Sequence, residues 1–268
     1  MSPNIFSDSN HPLIAYLMAG YPTPDRSLEA AEAVLEGGAD ALELGVPFSD
    51  PIADGPIIQK ASTVALRQNV SLRLVLSMAE ALSRRGKPIY IMSYLNPILR
   101  LGYHSFAKQA SQSGVSGVII PDLPVDLSGE WVRVAWGNGL GTIFLATPAT
   151  PPGRLKKIAQ NSTDFVYLVS VYGVTGVREG LPEYTYTFIR ESKRVVNRPI
   201  ALGFGVSNPH TVTLALKAGA DGVIVGSALI SVLMRDNSSW NESLESLKEA
   251  VRALKQATGT RASTADSG

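Results

Sequence analysis

The 268-residue chain contains no cysteine, which excludes disulfide bonds, thiolate nucleophiles and thiolate metal sites. Its formal net charge is only +1, and it has no long run of like charges that would bind nucleic acid or a membrane surface. No apolar run approaches the length of about 18 residues that predicts a membrane span, and the polar start predicts no signal peptide. The few histidines form no cluster with metal-ligand spacing, so no metal is expected. We therefore expect a cytoplasmic protein that binds neither nucleic acid nor membranes.

What the sequence does contain is a regular alternation of short apolar runs and amphipathic helix patterns. The apolar runs are rich in Val and Ile and lack strict alternation, which indicates strands buried on both faces, as in a parallel sheet. Eight β–α units in about 250 residues predict one α/β domain folded as a (β/α)8 TIM barrel, with a flexible tail at about 257–268. The predicted strands are 13–17, 41–44, 88–92, 117–120, 142–146, 165–169, 199–204 and 222–226, and clear helix patterns cover 25–38, 71–85 and 208–219.

A doubly wound open sheet is the competing interpretation of the same alternation. That fold commonly carries a glycine-rich dinucleotide fingerprint directly after its first strand. The first predicted strand is followed instead by "AGYPTPD", which contains no such fingerprint. The barrel is therefore the preferred prediction.

One predicted strand carries a carboxylate where the others carry apolar residues. A weak repeat, in which a helix-ending glycine precedes a strand, aligns Glu43 with Ile119 and Ile224. Barrel active sites are built at the carboxyl ends of the strands, so Glu43 is predicted to be catalytic, between apolar walls that should raise its pKa. The alternative is an ion pair, but no Lys or Arg lies in any predicted strand. The three repeat copies are "GADALELG" at 38–45, "GVSGVIIPD" at 114–122 and "GADGVIVG" at 219–226.

Three loop segments add further candidates at the same end of the barrel. Asp54 lies in "SDPIADGP", where it is either a second catalytic carboxylate or a turn former beside glycine. The segments "GFGVSNP" and "VGSALI" follow the seventh and eighth strands, where barrels often bind phosphate through backbone N–H groups. Alternatively, their glycines only make tight turns. The glycine-containing segment at 170–184 is either a mobile lid or an ordinary surface loop.

Four segments of the chain, taken in their order, resemble the tryptophan synthase α subunit family. They are "LELGVPFSDPIADGP", "VYLVSVYGVTG", "GFGVS" and "VGSAL". The resemblance extends over nearly the whole chain. It implies a TIM barrel that cleaves indole-3-glycerol phosphate to indole and glyceraldehyde 3-phosphate. It also implies an α2β2 complex in which the β subunit holds pyridoxal phosphate (PLP) and receives indole through a tunnel, while the α chain has no cofactor of its own.

The resemblance also assigns roles to individual residues. Glu43 corresponds to the general acid/base, Asp54 to the carboxylate that accepts the indole N–H, and Thr175 to a lid residue that helps to place the Asp54 loop. Alternative interpretations are a free-standing lyase, a catalytically weak activator of the β subunit, and a generic phosphate-binding isomerase. The remaining implied positions are an indole pocket of Tyr16, Met92, Ile119, Pro121, Tyr167 and Ile224, and a phosphate site of Gly176, Gly205, Gly226 and Ser227.

Overall fold

A single parallel sheet forms the centre of the computed structural model, which describes residues 5–8, 11–170, 180–235 and 239–259. Its nine described strands occur in the order β5-β4-β3-β2-β1-β9-β8-β7-β6. The two ends of this order, β5 and β6, are separated along the chain by Phe144 alone, so the barrel closes at that residue. The strands are β1 Leu13–Met18, β2 Ala41–Gly45, β3 Ile89–Met92, β4 Gly117–Ile119, β5 Gly141–Ile143, β6 Leu145–Ala146, β7 Val166–Val169, β8 Ile200–Gly203 and β9 Gly222–Val225.

The fifth predicted strand, 142–146, is two short strands in the structure. Phe144 lies between them because its N–H donates to the side-chain oxygen of Ser162 at 3.2 Å instead of to a strand. Its carbonyl still accepts from Tyr167 N–H at 3.0 Å, which joins the chain to β7. The barrel prediction is confirmed, and this break is a local correction to it.

Helices surround the sheet and begin at recognisable caps. Thr23, Ser71 and Asn208 each accept a backbone N–H at the start of the three helices that the sequence predicts. The described helices are α1 Ile5–Asp8, α2 Pro24–Glu36, α3 Pro56–Arg67, α4 Leu72–Ser83, α5 Leu95–Leu101, α6 Tyr103–Gln112, α7 Gly129–Gly137, α8 Pro152–Asn161, α9 Glu183–Val195, α10 Pro209–Ala218, α11 Ser227–Leu233 and α12 Trp240–Thr258, with a 3₁₀ turn at Val125–Leu127. Within the ranges that the structure describes, no helix is both long and apolar enough to cross a membrane.

The predicted tail at about 257–268 overlaps the end of the described chain. Helix α12 continues to Thr258, which is only 3% exposed. Residues 260–268 lie outside the described part of the chain.

Two aspartates, at the polar position of the sequence repeat, link neighbouring strands at the amino end of the barrel. Asp40 accepts from Leu13 N–H at 2.7 Å and from Lys255 Nζ at 2.6 Å. Asp221 does the same two strands further round, with Ile200 N–H at 2.8 Å and Lys193 Nζ at 2.6 Å. Each carboxylate thereby satisfies the first donor of a strand, which would otherwise be a costly unpaired group.

Aromatic rings fill the same end of the barrel. Phe6 of α1 and Tyr90 of β3 pack against Phe165 with centroid separations of 5.5 and 5.6 Å. The Tyr90 hydroxyl donates to Asp164 at 2.9 Å. This end is therefore packed and hydrogen-bonded, which leaves the carboxyl ends of the strands as the place for a site.

Candidate active site

Glu43 is the middle residue of β2, and its side chain is completely buried. Neither carboxylate oxygen has a hydrogen-bond partner among the described residues, so the ion pair considered from the sequence is not found there. Burial, followed by the charge of Asp54, raises the pKa of Glu43 to about 8. Because a buried unpaired charge is costly, the resting state of Glu43 at neutral pH is the protonated acid.

Asp54 lies in the loop between β2 and α3 and is 6% exposed. Its Oδ2 accepts the hydroxyl of Tyr94 at 3.1 Å, while the side chain of Gln59 donates to its carbonyl at 2.9 Å. Burial raises the pKa of Asp54 to about 6, and the Tyr94 hydrogen bond opposes this rise. The carboxylate therefore faces the barrel interior as a charged group at neutral pH, rather than standing in solvent as a turn cap.

The two carboxyl groups are thus held in opposite protonation states near neutrality. Their pKa values are separated, about 6 for Asp54 and about 8 for Glu43, because Glu43 is the more deeply buried and lies in the field of Asp54. Pairs of carboxyl groups with separated pKa values are typical of acid and base assignments in enzymes. The neighbouring phenols of Tyr16 and Tyr167 stay protonated, because burial raises the pKa of each well above its ordinary value.

A cleft at the mouth of the barrel joins Asp54 to an apolar wall and to two glycine loops. Gly205 has a left-handed φ of +78°, which favours glycine and turns the chain sharply after β8. Ser227 begins α11 and is exposed at the far side of the cleft. The lining residues are Tyr16, Asp54, Ile58, Met92, Tyr167, Phe204, Gly205, Val206, Ile224, Gly226 and Ser227.

Two glycines that carry no loop function make room for the tyrosines of this wall. A Cβ at Gly45 would overlap the hydroxyl of Tyr16, and a Cβ at Gly203 would overlap the ring of Tyr167. Both glycines end their strands, so each tyrosine can lie across the neighbouring strand end. The aromatic wall therefore depends on glycine at these two positions.

Comparison with known proteins identifies the family of this site. The family model for "Tryptophan synthase alpha chain" matches residues 4–259. The chain is 45% identical to the tryptophan synthase alpha chain of Thermococcus kodakarensis over 231 residues, which are 86% of this chain and 92% of that one. It superposes on a structure of Mycobacterium tuberculosis tryptophan synthase with a TM-score of 0.88 and 35% identity, covering 96% of this chain and 97% of the other. A Pyrococcus furiosus structure, from the tryptophan synthase α2β2 complex, gives a TM-score of 0.86 at 42% identity, covering 92% and 99% of the two chains.

The chain belongs to the tryptophan synthase alpha chain family. The activity of this family is that of an indole-3-glycerol-phosphate lyase in tryptophan biosynthesis. Alpha chains of tryptophan synthase use no cofactor of their own, and PLP belongs to the β subunit.

Eight of the predicted site residues line the cleft, and Glu43 lies buried beside it. Sequence reasoning did not identify Ile58, Phe204 and Val206, which also line it. Phe204 has a left-handed φ of +64°, which is uncommon for a residue with a side chain and which no sequence pattern predicts. The predicted residues in the cleft are Tyr16, Asp54, Met92, Tyr167, Gly205, Ile224, Gly226 and Ser227.

The remaining predicted residues lie elsewhere or outside the described residues. Ile119 is fully buried and pairs in the sheet with Met92, a residue of the cleft wall. Pro121 lines a separate cleft with Thr150 and Arg154. The assignment of both residues to the indole pocket stays a prediction. Thr175 and Gly176 belong to 171–179, outside the described residues. Within the described ranges, no group of three or more His, Cys, Asp or Glu side chains is arranged to hold a metal ion.

Glu43→Gln is expected to stabilise the protein, increasingly so at higher pH. The folded chain keeps the Glu43 proton until about pH 8, whereas the unfolded chain loses it near the ordinary pKa of 4.5. Since the folded state binds the extra proton, the free energy of unfolding of the parent chain falls as pH rises through this window. Glutamine keeps the shape and cannot ionise, so we expect a gain of at least about 1 kcal/mol that grows between these pH values.

Urea denaturation of the parent chain and the variant at several pH values between these limits measures this effect. Glu249→Gln, on the exposed surface of α12, is the matched control and should leave stability unchanged. A Glu43→Gln variant that is no more stable than the parent at the alkaline end would contradict the buried-acid interpretation.

Proposed function

We propose that this chain is a cytoplasmic, single-domain lyase that cleaves indole-3-glycerol phosphate with Glu43 and Asp54 and passes indole to a PLP-containing β subunit. The observation that carries the residue assignment is a pair of buried carboxyl groups, Glu43 in the middle of β2 and Asp54 in the loop after it, the first neutral and the second charged near neutral pH. A retro-aldol cleavage needs a proton donor that becomes a base, together with a negative charge that stabilises a transient cation. These two groups provide those functions without a metal or cofactor step.

Glu43 performs the proton transfers in this proposal. As the protonated acid, it gives its proton to C3 of the indole ring, which places positive charge on the ring nitrogen. The resulting carboxylate takes the proton of the side-chain hydroxyl as the carbon–carbon bond breaks. The bonding electron pair returns to the ring, and the hydroxyl carbon becomes the aldehyde of glyceraldehyde 3-phosphate. Glu43 ends protonated, as it began, so that one residue completes the cycle.

Asp54 stabilises the cation that forms between these two transfers. Its carboxylate lines the cleft and accepts the indole N–H in this proposal, so its charge lies beside the nitrogen that becomes positive. A fixed charge in a low-dielectric site stabilises developing charge more strongly than water does. Asp54 therefore has to be ionised when Glu43 is protonated.

The cleft also combines an apolar surface with loops that can bind an anion, as this substrate requires. Its apolar wall, which includes Ile58, Met92 and Ile224, suits the indole ring, and the loops after β8 and β9 present Gly205, Gly226 and Ser227 to an anion. Backbone N–H groups can approach phosphate closely where a side chain is small or absent. We assign the ring to the first surface and the phosphate to the second.

Lyase activity is expected to follow a bell-shaped pH profile. The acid limb reports Asp54, with a pKa of about 6, and the alkaline limb reports Glu43, with a pKa of about 8. Activity rises as Asp54 ionises and falls as Glu43 loses its proton. Glu43→Gln should lower kcat by at least about 100-fold, and Asp54→Asn should lower kcat more than it raises KM because the lost charge acts on the transition state.

Asp50→Asn is the matched control, since Asp50 lies in the same loop but is exposed. It should leave both the rate and the pH profile unchanged. Near-normal turnover by Glu43→Gln would refute the assignment of Glu43, and a change confined to KM in Asp54→Asn would reduce Asp54 to a positioning residue.

Ser227→Asp tests the phosphate end of the cleft. An acidic residue in the first turn of a helix is compatible with the helix dipole, so the fold should be retained, while the new charge repels phosphate. We expect weaker binding of both substrate and inorganic phosphate by at least about 10-fold. Ser239→Asp, at the N-cap of α12, adds the same charge at another helix start and should change the binding of neither substrate nor phosphate. Equal phosphate binding by all three proteins would move the anion site away from these loops.

The β subunit is proposed to dock at the mouth of the barrel. Large apolar side chains are exposed there on three successive connections: Ile52 after β2, Leu99 after β3 and Leu127 after β4, with exposures of 80, 49 and 75%. Exposed apolar residues grouped on one face are typical of a protein interface. Ile52 lies two residues from Asp54, so a partner on this face can influence the catalytic loop.

Titration with a β subunit distinguishes a regulated subunit from a free-standing lyase. We expect turnover to rise with β concentration and β to tighten the binding of a glycerol-phosphate analogue to this chain. Linkage then requires the analogue to tighten β binding by the same coupling energy. Ile52→Asp should weaken β binding, whereas Ala253→Asp, on the exposed face of α12, should not. Full turnover without β and no effect of ligand on β binding would establish the free-standing lyase. Binding of β by a chain that never cleaves substrate would establish the activator alternative.

A further inference from the structure

Tyr94 is a buried residue at the mouth that the proposed mechanism does not use. It immediately precedes α5 and is 5% exposed. Its hydroxyl donates to Asp54 Oδ2 at 3.1 Å and accepts the backbone N–H of Ala53 at 2.9 Å. One phenol oxygen therefore binds two consecutive residues of the catalytic loop, one through the backbone and one through the carboxylate.

The ring of Tyr94 is itself held firmly. It stacks on Phe48 with a centroid separation of 5.0 Å and an interplanar angle of 25°. The next residue, Leu95, donates its N–H to Asp122 Oδ1 at 2.8 Å, and Ser93 Oγ donates to the Tyr94 carbonyl at 2.9 Å. Contacts from Ser93 directly after β3, from Asp122 in the loop after β4 and from Phe48 at the start of the catalytic loop thus hold Tyr94 in place.

We propose that Tyr94 is a positioning residue for the lyase reaction, and that its hydroxyl aims the Asp54 carboxylate into the cleft and favours its charged form. This inference rests on the proposed role of Asp54. Asp54 lies in a loop, whereas Glu43 lies in a strand, so Asp54 needs an external anchor to hold the same precision. A hydrogen bond from a rigid phenol supplies both a direction and a partial compensation for burial.

Among the described residues, Tyr94 is the one whose side chain donates a hydrogen bond to the Asp54 carboxylate. Glu43 from β2, Tyr16 from β1 and Tyr167 from β7 face the same space, and each is protonated at neutral pH. Burial raises the pKa of Asp54, and the Tyr94 hydrogen bond is the contact that lowers it. Tyr94 remains a donor throughout, because burial and the nearby charges of Asp54 and Asp122 raise its own pKa.

Tyr94→Phe is the direct test, since it keeps the ring and its stack on Phe48 and removes only the hydroxyl. We expect kcat to fall by about 10- to 100-fold, the equivalent of one hydrogen bond to a charged group. KM should change little, because the apolar wall and the phosphate loops are untouched. The acid limb of the pH profile should move to higher pH, because Asp54 without its donor is harder to ionise.

Tyr90→Phe is the matched control. Tyr90 donates to Asp164 at 2.9 Å, so this change also removes a tyrosine–aspartate hydrogen bond, but at the opposite end of the barrel. Both variants are expected to lose some stability, and only Tyr94→Phe should shift the acid limb. Carboxyl ¹³C NMR, with the Asp54 signal assigned by its loss in Asp54→Asn, follows the ionisation of Asp54 independently of turnover.

The Asp54→Asn background separates this inference from the proposed function. If Tyr94 acts through Asp54, adding Tyr94→Phe to Asp54→Asn should cost much less than it does alone. Additive losses, or an unchanged Asp54 titration in Tyr94→Phe, would overturn the inference and leave Asp54 catalytic. Near-normal turnover by Asp54→Asn would instead overturn the proposed function, and the inference with it, whatever Tyr94→Phe does.

Discussion

The wholly buried carboxyl group of Glu43, which has no hydrogen-bond partner in the part of the chain that the structure describes, is the constraint on which the rest of the proposed site depends. An ionised carboxylate in such a place would cost many kcal/mol, so the group stays neutral at rest. Neutrality makes it a proton donor, and the same burial makes the carboxylate a strong base once the proton has left. A hydrogen-bond donor beside Glu43 would lower its pKa, so that less of the protonated acid would be present at neutral pH and the carboxylate would be a weaker base. In the proposed mechanism, the absence of a donor among the described residues therefore serves the chemistry at a cost to stability.

The charge of Asp54 is important because Glu43 is neutral. Because Glu43 stays neutral, the field inside the mouth comes from Asp54, which also raises the pKa of Glu43. Placing Asp54 in a loop makes its position adjustable, and Tyr94 limits that freedom through two hydrogen bonds. A partner that moves the loop can then change the charge distribution around Glu43 without touching the strand. In the proposed mechanism, the acid Glu43 is therefore held in a strand, whereas the charge of Asp54 lies in a loop that can be adjusted.

Sequence reasoning was effective where the determining pattern is local. Strand and helix periodicity predicted the barrel, and the strand register set Glu43 apart from the isoleucines of its repeat. It failed where a contact joins distant segments. The strand break at Phe144 depends on a hydroxyl 18 residues later, and the Tyr94–Asp54 bond spans 40 residues. The need for glycine at Gly45 and Gly203 was missed for the same reason, since it comes from the tyrosines of neighbouring strands. Pro121 lines a cleft separate from that of Asp54, a placement that depends on tertiary structure and not on local pattern.

The two ends of the barrel treat carboxylates in opposite ways. At the amino end, Asp40 and Asp221 each accept a strand N–H and a lysine, so their charges are fully used in holding strands together. Tyr90 likewise donates to Asp164 there. Near the carboxyl end, Glu43 has no donor among the described residues and Asp54 has one side-chain donor. Among the described residues, Asp40 and Asp221 thus each have a lysine partner and hold strands together, whereas the two carboxyl groups to which we assign the chemistry, Glu43 and Asp54, have none.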